Sequence, residues 1–277
     1  MIDGGTELIA HLGYPTRTFT APLIYNPYFA SVGVNAVVVP MGLTAGNFAA
    51  VFRALFTLVN LRGALVTMPH KATTLALVDD ASPRAQIAGA CNVVLRRRDG
   101  TLLGDMFDGE GFVRAVLAKG RTIAGARALV VGCGGVGAAI AAALMAAGIA
   151  RLGLVDIDRA AADRLAARLA AHDPTLALAV GDEDPQGCDL VVNATPLGMT
   201  EDDPLPLAVE RVAPSSLVAD VVLAPAMTRL LRAASAKGCA IQVGTDMLFE
   251  QIPACLDFFG LPVATAATLR TVARLSP

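Results

Sequence analysis

The chain has 277 residues, a formal net charge of −2 and 55% hydrophobic residues. That length allows two domains of about 100–150 residues each, and with no basic run beyond Arg96-Arg97-Arg98 the charge argues against nucleic acid or an anionic membrane as partner. The hydrophobic excess is alanine and valine in short runs, none near the roughly 20 apolar residues of a membrane span, so a soluble protein acting on a small molecule is expected.

The opening Met1-Ile2-Asp3-Gly4-Gly5 shows neither a basic n-region nor an apolar h-region, and a cytoplasmic location is expected. Cys91, Cys133, Cys188, Cys239 and Cys255 lack C-x-x-C spacing, which fits reduced, mostly buried thiols. His11, His70 and His172 are far apart in sequence, and no metal is expected.

Residues 7–14, 34–40, 62–68 and 90–95 read as short β-rich runs, with helical spacing from Ala45 to Val59. A helix-like stretch from Gly111 to Lys119 and the Gly125-Ala126 turn lead into a more regular alternation. Strand patterns at 127–132, 151–156, 176–180, 188–193 and 216–222 flank helical patterns at 135–147 and 159–171. Thr228 to Lys237 reads as a further helix, 239–243 as a closing strand, and Met247 to Phe259 as a last helix. Such alternation predicts an α/β fold whose second half is a parallel sheet covered on both faces.

The run Ala128 to Val131 enters Gly132-Cys133-Gly134-Gly135-Val136-Gly137 and then an alanine-rich helix, the layout of a dinucleotide-binding turn. Gly132 suits a tight turn, Gly134 close approach of a pyrophosphate, and Gly137 close helix–strand packing, with the phosphates at the helix N-terminus. Cys133 inside this turn reads as a small apolar filler in preference to an activated thiol. Asp156 lies 24 residues beyond Gly132. That is near the spacing of a carboxylate that binds a ribose 2′-hydroxyl and repels a 2′-phosphate, so NAD is favoured over NADP, although Arg159 could still face a phosphate.

Val66-Thr67-Met68-Pro69-His70-Lys71 resembles the V-T-x-P-x-K motif of the shikimate/quinate dehydrogenase family. Gly89-Ala90-Cys91-Asn92, Asp108-Gly109-Glu110-Gly111 and Asn193-Ala194-Thr195-Pro196-Leu197-Gly198-Met199 are similar to its G-A-x-N, D-G-x-G and N-A-T-P-x-G-M blocks. Asp220-Val221-Val222 and Gly244 with Met247, Leu248 and Gln251 continue the match. The resemblance implies a substrate domain over 1–113, a Rossmann-type domain over 114–243, and a C-terminal segment, 244–277, whose helix returns to the first domain. It implies hydride transfer between a nicotinamide and the ring hydroxyl or ketone carbon of shikimate, quinate or a related cyclic hydroxy acid. Lys71 then moves the hydroxyl proton with Asp108 as its partner, and Thr67, Asn92 and Gln251 hydrogen-bond the substrate. Gly132, Gly134, Gly135, Val136, Gly137, Asp156, Asn193, Ala194, Thr195, Pro196, Gly244 and Met247 are assigned to the cofactor.

The chain departs from this family in the substrate loop, where Phe19-Thr20-Ala21 stands in place of a Ser-x-Ser pair that holds the substrate carboxylate. Thr18 and Thr20, with Arg17, are the candidate replacements. Leu65, Leu223 and Phe107 also occupy positions that are usually Asn, Tyr and Thr, so a less polar pocket is expected. The alternative reading is a nucleotide-binding regulatory homologue without turnover, against which Lys71 and Asp108 count. A folate- or glutamyl-type dehydrogenase would leave two of the motif blocks unexplained. Analogy with other two-domain dehydrogenases leaves a homodimer possible.

Overall fold

Among the described residues two six-stranded sheets form, one in each of two units. The structure, a computed structural model, describes residues 2–181 and 184–275; Met1, Asp182, Glu183, Ser276 and Pro277 lie outside the described residues, and with them the two ends of the expected domain assignment. The first unit comprises Met1–Phe107 and Ile252–Pro277, the second Asp108–Gln251.

In the first unit β1 (Glu7–Gly13), α1 (Pro22–Val32), β2 (Ala36–Gly42), α2 (Ala45–Leu55), β3 (Leu61–Val66), α3 (Lys71–Leu75), β4 (Asp80–Ala81), α4 (Pro83–Ala88), β5 (Val93–Arg96) and β6 (Leu102–Asp105) follow in order. The sheet runs β2-β1-β3-β5-β6-β4, with β1 parallel to β2 and β3, and β5 antiparallel to β3 and β6. Side chains alternate across β1. Ala10 and Leu12 pack with Phe48, Phe52, Leu61 and Val66 in one core cluster, which leaves Ile9, His11 and Gly13 on the other face.

The sequence pattern gave no sign of α1, because Pro27 interrupts it. Proline has no N–H to give the carbonyl four residues back, which here is Leu23. The backbone N–H of Arg274 donates to that carbonyl at 2.8 Å, so the C-terminal segment satisfies the acceptor that Pro27 leaves. Tyr28 Oη donates to the Pro262 carbonyl at 2.8 Å and Arg62 Nη1 to that of Phe259 at 2.6 Å, further ties between this segment and the first unit.

The second unit begins with α5 (Asp108–Ala118) and continues through β7 (Arg127–Val131), α6 (Gly135–Ala146), β8 (Arg151–Val155), α7 (Arg159–His172), β9 (Ala177–Val180), β10 (Leu190–Asn193), β11 (Leu217–Asp220), α8 (Arg229–Ala236) and β12 (Ala240–Gln242). Its strands are all parallel in the order β12-β11-β10-β7-β8-β9. The order reverses between β7 and β10, the crevice where doubly wound sheets bind nucleotides. α9 (Gly244–Phe258) starts in this unit and ends in the first, to which α10 (Ala266–Val272) also belongs.

The units divide at 107/108 and 251/252, whereas the sequence placed the boundaries at 113/114 and 243/244. Two glycines of the D-G-x-G motif explain the difference. A Cβ on Gly109 would lie 2.1 Å from the Ala139 carbonyl oxygen of α6, and one on Gly111 2.6 Å from that of Met247 in α9. α5 and the first half of α9 are thus packed backbone to backbone within the nucleotide unit. Among the described residues no helix is long and apolar enough to cross a membrane.

Candidate active site

At the end of β7 the glycine turn divides its labour by residue. Gly132 has φ +100°, a conformation that disfavours any side chain, and a Cβ there would meet the Ala194 backbone at 2.8 Å. A Cβ on Gly137 would stand 1.8 Å from the Gly132 carbonyl oxygen, so only glycine lets α6 sit on the turn. Gly134, the N-cap of α6, has nothing within 4 Å of an added Cβ. That open side, beside the unpaired N–H groups of the first helical turn at Gly135 and Val136, fits a pyrophosphate. Asp156, just past β8, accepts the Cys133 N–H at 2.6 Å through one oxygen and the Asp158 N–H at 2.9 Å through the other. Its carboxylate therefore braces the turn whose ligand it would face. Burial, and then the Asp156 charge, push the Cys133 thiol up to about 12, so it is an inert filler.

The N-A-T-P block follows β10. Asn193 is fully buried, and its amide is committed within the loop. Nδ2 donates to the Leu197 carbonyl at 2.9 Å and to Asp220 at 3.1 Å, while Oδ1 accepts the Thr195 N–H and hydroxyl at 3.1 and 2.7 Å. Asp220 also accepts the Val222 N–H at 3.0 Å and the Thr228 hydroxyl at 2.8 Å, and burial raises its pKa despite these bonds. Asn193 and Thr195 thus shape the loop that carries Ala194 and Pro196 past Gly132. Gly244 follows the same logic: its Cβ would lie 2.4 Å from the Val222 carbonyl oxygen. Met247 and Gln251 are buried along α9, and Asp108 is buried at the head of α5.

The substrate candidates Thr18, Thr20, Thr67, Lys71 and Asn92 belong to the first unit, unlike Asp108 and Gln251. Lys71 is half-buried at the start of α3, and its carbonyl accepts the Cys91 N–H at 2.9 Å. Thr67 donates its N–H to the Leu12 carbonyl at 2.9 Å, which carries β3 alongside β1 into the turn before Lys71. Asn92 Oδ1 accepts the Phe107 N–H at 2.9 Å. Thr18 is exposed, and its hydroxyl donates to the Pro15 carbonyl at 3.0 Å, so the proton it could offer a ligand already serves the local turn. Thr20 is half-buried just before α1, and Arg17 is exposed.

Three residues take on a role only in the folded chain. His11 on β1 is 8% exposed, its ring lies 4.0 Å from that of Phe19, and its Nδ1 has no hydrogen-bond partner. Burial first, and then the Lys71 charge, push its pKa down to about 3, so the imidazole is neutral. The second feature is Asp105, which accepts the Met106 N–H at 2.7 Å and Arg84 Nε at 2.8 Å. The Arg84 guanidinium in turn lies 4.5 Å from the Phe107 ring centroid, and Phe107 meets Phe258 edge to face at 5.6 Å. Phe107 is therefore core and brings no polar group to the site. The third is Asp220. Asp220 was visible as the head of the Asp220-Val221-Val222 block, though not its bonds to Asn193 and Thr228, and His11 left a signal as a histidine in the otherwise apolar run Ile9-Ala10-His11-Leu12.

A doubly wound nucleotide unit joined to an α/β unit in one chain is the architecture of a two-domain nicotinamide-dependent oxidoreductase, and relatives that are shikimate dehydrogenases place the chain among oxidoreductases acting on CH–OH groups. Residues 12–94 match the family model of the shikimate dehydrogenase substrate binding domain, and residues 113–170 that of the ThiF family. The shikimate dehydrogenase (NADP(+)) of Rubrobacter xylanophilus is 40% identical over 257 residues, a match spanning 90% of this chain and 89% of the relative. Shikimate 5-dehydrogenase of Listeria monocytogenes, solved in complex with shikimate and NAD, superposes with a TM-score of 0.87 at 26% identity, covering 98% of this chain and 97% of that one. The ligand-free 5-ketofructose reductase of Gluconobacter sp. strain CHM43 reaches a TM-score of 0.84 at 25% identity, with 96% and 97% covered. The chain belongs to the shikimate dehydrogenase family.

Proposed function

We propose that this chain interconverts the ring hydroxyl and ketone of shikimate and 3-dehydroshikimate, of quinate, or of a related cyclic hydroxy acid. What supports the reading is the open, braced glycine turn at the sheet's switch point, in a chain 40% identical to a shikimate dehydrogenase. A bound nicotinamide supplies the hydride acceptor or donor. Gly134, Gly135 and Val136 would hold the pyrophosphate by backbone N–H groups, the Asn193–Pro196 loop and Gly244 would wall the site, and Met247 would cover it. Lys71, as the neutral amine, takes the hydroxyl proton in oxidation and, as the ammonium, returns it in reduction, with Asp108 the partner that the D-G-x-G motif assigns. Thr67, Asn92 and Gln251 hold the remaining ring hydroxyls, with Thr20 the better placed of the two loop threonines because Thr18 is engaged with Pro15.

For the cofactor, Asp156 favours NAD. A 2′-phosphate would meet its charge; of the cations near the turn, Arg159 and Arg164 form exposed pairs with Asp163 at 3.1 Å and Asp158 at 3.2 Å, and Arg168 lies close enough for its charge to act on Cys133. The Rubrobacter relative is named for NADP(+), so the preference assigned here separates this chain from that relative. The experiment is initial-rate formation of NADH and NADPH with shikimate and with quinate, using Lys71→Ala as control. Lys71-dependent turnover with NADH formed faster is the expected result. Tight NAD binding without any turnover would replace this reading with the regulatory homologue.

A further inference from the structure

His11 projects from the face of β1 that it shares with Gly13, opposite Leu65 of β3 in the parallel register. A Cβ on Gly13 would touch the methyl group of Thr67 at 2.4 Å and the Phe19 ring at 2.9 Å. The strand ends that deliver Thr67 and Lys71 therefore also deliver His11 and Phe19 to one small region. In parallel sheets ligands lie beyond the C-terminal ends of the strands, which is where β1 and β3 place this group. A buried polar atom without a partner is uncommon, because the lost hydrogen bond to water costs about 1–3 kcal/mol. Phe19 and the buried Leu65 offer Nδ1 nothing, and Phe48 holds the other histidine of this unit, His70, in a stack at 3.9 Å with its Nε2 on the Leu43 carbonyl.

We propose that His11 Nδ1 is a substrate-binding atom that takes a single hydrogen bond with an uncharged substituent of the ring, so that this end of the pocket selects a neutral group over a carboxylate. The inference rests on the ring-alcohol chemistry proposed above and shifts its favoured substrate from the free hydroxy acid to a ring alcohol with an uncharged substituent in place of the carboxylate. A carboxylate entering here would meet one neutral imidazole, an aromatic ring and a leucine, with the Thr18 hydroxyl already given to Pro15. An ionised group needs several donors or an opposite charge to leave water. Of the charges on the elements that carry this group, Lys71 acts on His11 directly, whereas Arg17 is exposed on the loop; Lys71 is the proton-transfer group of the proposed reaction, and a carboxylate drawn to it would exclude the reacting hydroxyl. A hydroxyl, ester or amide needs one partner, and Nδ1 supplies it.

Shikimate and its methyl ester test this directly, because they differ only in that charge. Initial rates and calorimetric titrations would be run on the full chain, wild type, His11→Leu and His11→Asn, with NAD and with NADP, after melting curves confirm folding. Wild type should use the ester with kcat/KM about tenfold above that of the acid. His11→Leu should lose that preference through KM, with kcat changed less than about threefold, and His11→Asn, which keeps a polar atom near the Nδ1 position, should retain it. A wild type that prefers the acid, or a His11→Leu variant that keeps the ester preference, overturns the proposal. If neither compound is turned over, the proposed reaction falls and the titrations decide. Ester binding weakened about tenfold by His11→Leu but not by His11→Asn sustains the role of His11, and no ester binding by wild type overturns it.

Discussion

The proposed nucleotide site and the proposed substrate site of this chain are built from different material. The first is made of backbone: Gly132, Gly134 and Gly137 matter because they lack a side chain, and Asp156 acts by holding two N–H groups. The second is made of side chains at or just beyond strand ends, His11, Phe19, Leu65, Thr67 and Lys71, whose identity the backbone ladder does not prescribe. Backbone solutions are few and recur, while side-chain pockets drift with the ligand. The same chain can thus keep an ordinary dinucleotide turn while its ring-binding wall is rewritten.

The largest expected effect separates the two sites. Lys71→Ala should lower kcat by about a thousandfold with the best ring alcohol, a loss typical of a removed proton-transfer group, while NADH affinity measured by fluorescence stays within about twofold. A parallel loss of NADH binding would show that the two sites are not separable in this way. Next, Gly137→Ala should abolish dinucleotide binding and destabilise the protein by about 3 kcal/mol in urea denaturation, because its Cβ would meet a carbonyl oxygen at 1.8 Å. Gly134→Ala, where nothing lies within 4 Å, should leave the melting temperature unchanged and weaken only the cofactor. Equal destabilisation by the two substitutions would refute the assignment of packing to one glycine and ligand contact to the other.

What could be read from the sequence follows the same division. The strand runs at 7–14, 34–40, 62–68 and 90–95 correspond to β1, β2, β3 and β5 within three residues at each end, and the β–α alternation after residue 127 became the all-parallel sheet. The glycine turn was legible because φ > 0 and a 1.8 Å approach admit one residue type. α1 was not, since Pro27 argues locally against a helix that only Arg274, far along the chain, completes. The compact units begin and end at other residues than the expected domains because nothing local says that Gly109 and Gly111 face α6 and α9. His11 was passed over for a related reason: its meaning depends on Phe19 covering it and on Nδ1 lacking a partner, neither of which is a property of the strand it sits in.

A smaller effect tests the cofactor assignment. Asp156→Ser removes the charge while leaving one side-chain oxygen for the turn, and should move the NAD:NADP ratio of kcat/KM toward NADP by about a hundredfold, some ~2.7 kcal/mol. An unchanged ratio would mean that Asp156 serves only the Cys133 and Asp158 N–H groups and that another residue reads the ribose.

The smallest effect bears on the dryness of the substrate wall. The folded pKa of His11 lies at about 3 against 6.5 for a free imidazole, with burial the leading cause and the Lys71 charge the second. Below pH 6.5 the unfolded chain binds a proton that the native chain refuses, so stability is complete above that pH and declines as pH falls toward 3. The slope approaches about 1.4 kcal/mol per pH unit, which gives ~2 kcal/mol lost between pH 6.5 and 5. Urea denaturation of wild type and His11→Leu at both pH values isolates this contribution, because every other titrating group is common to the two proteins. Wild type should lose ~2 kcal/mol more than the variant on acidification. Equal losses would mean that the imidazole titrates in contact with water, and a wetted His11 could take a proton and hold a carboxylate. The substrate wall would then have kept its charge selectivity through a different residue, and the contrast between a fixed backbone site and a rewritten side-chain site would reduce to a change of donor.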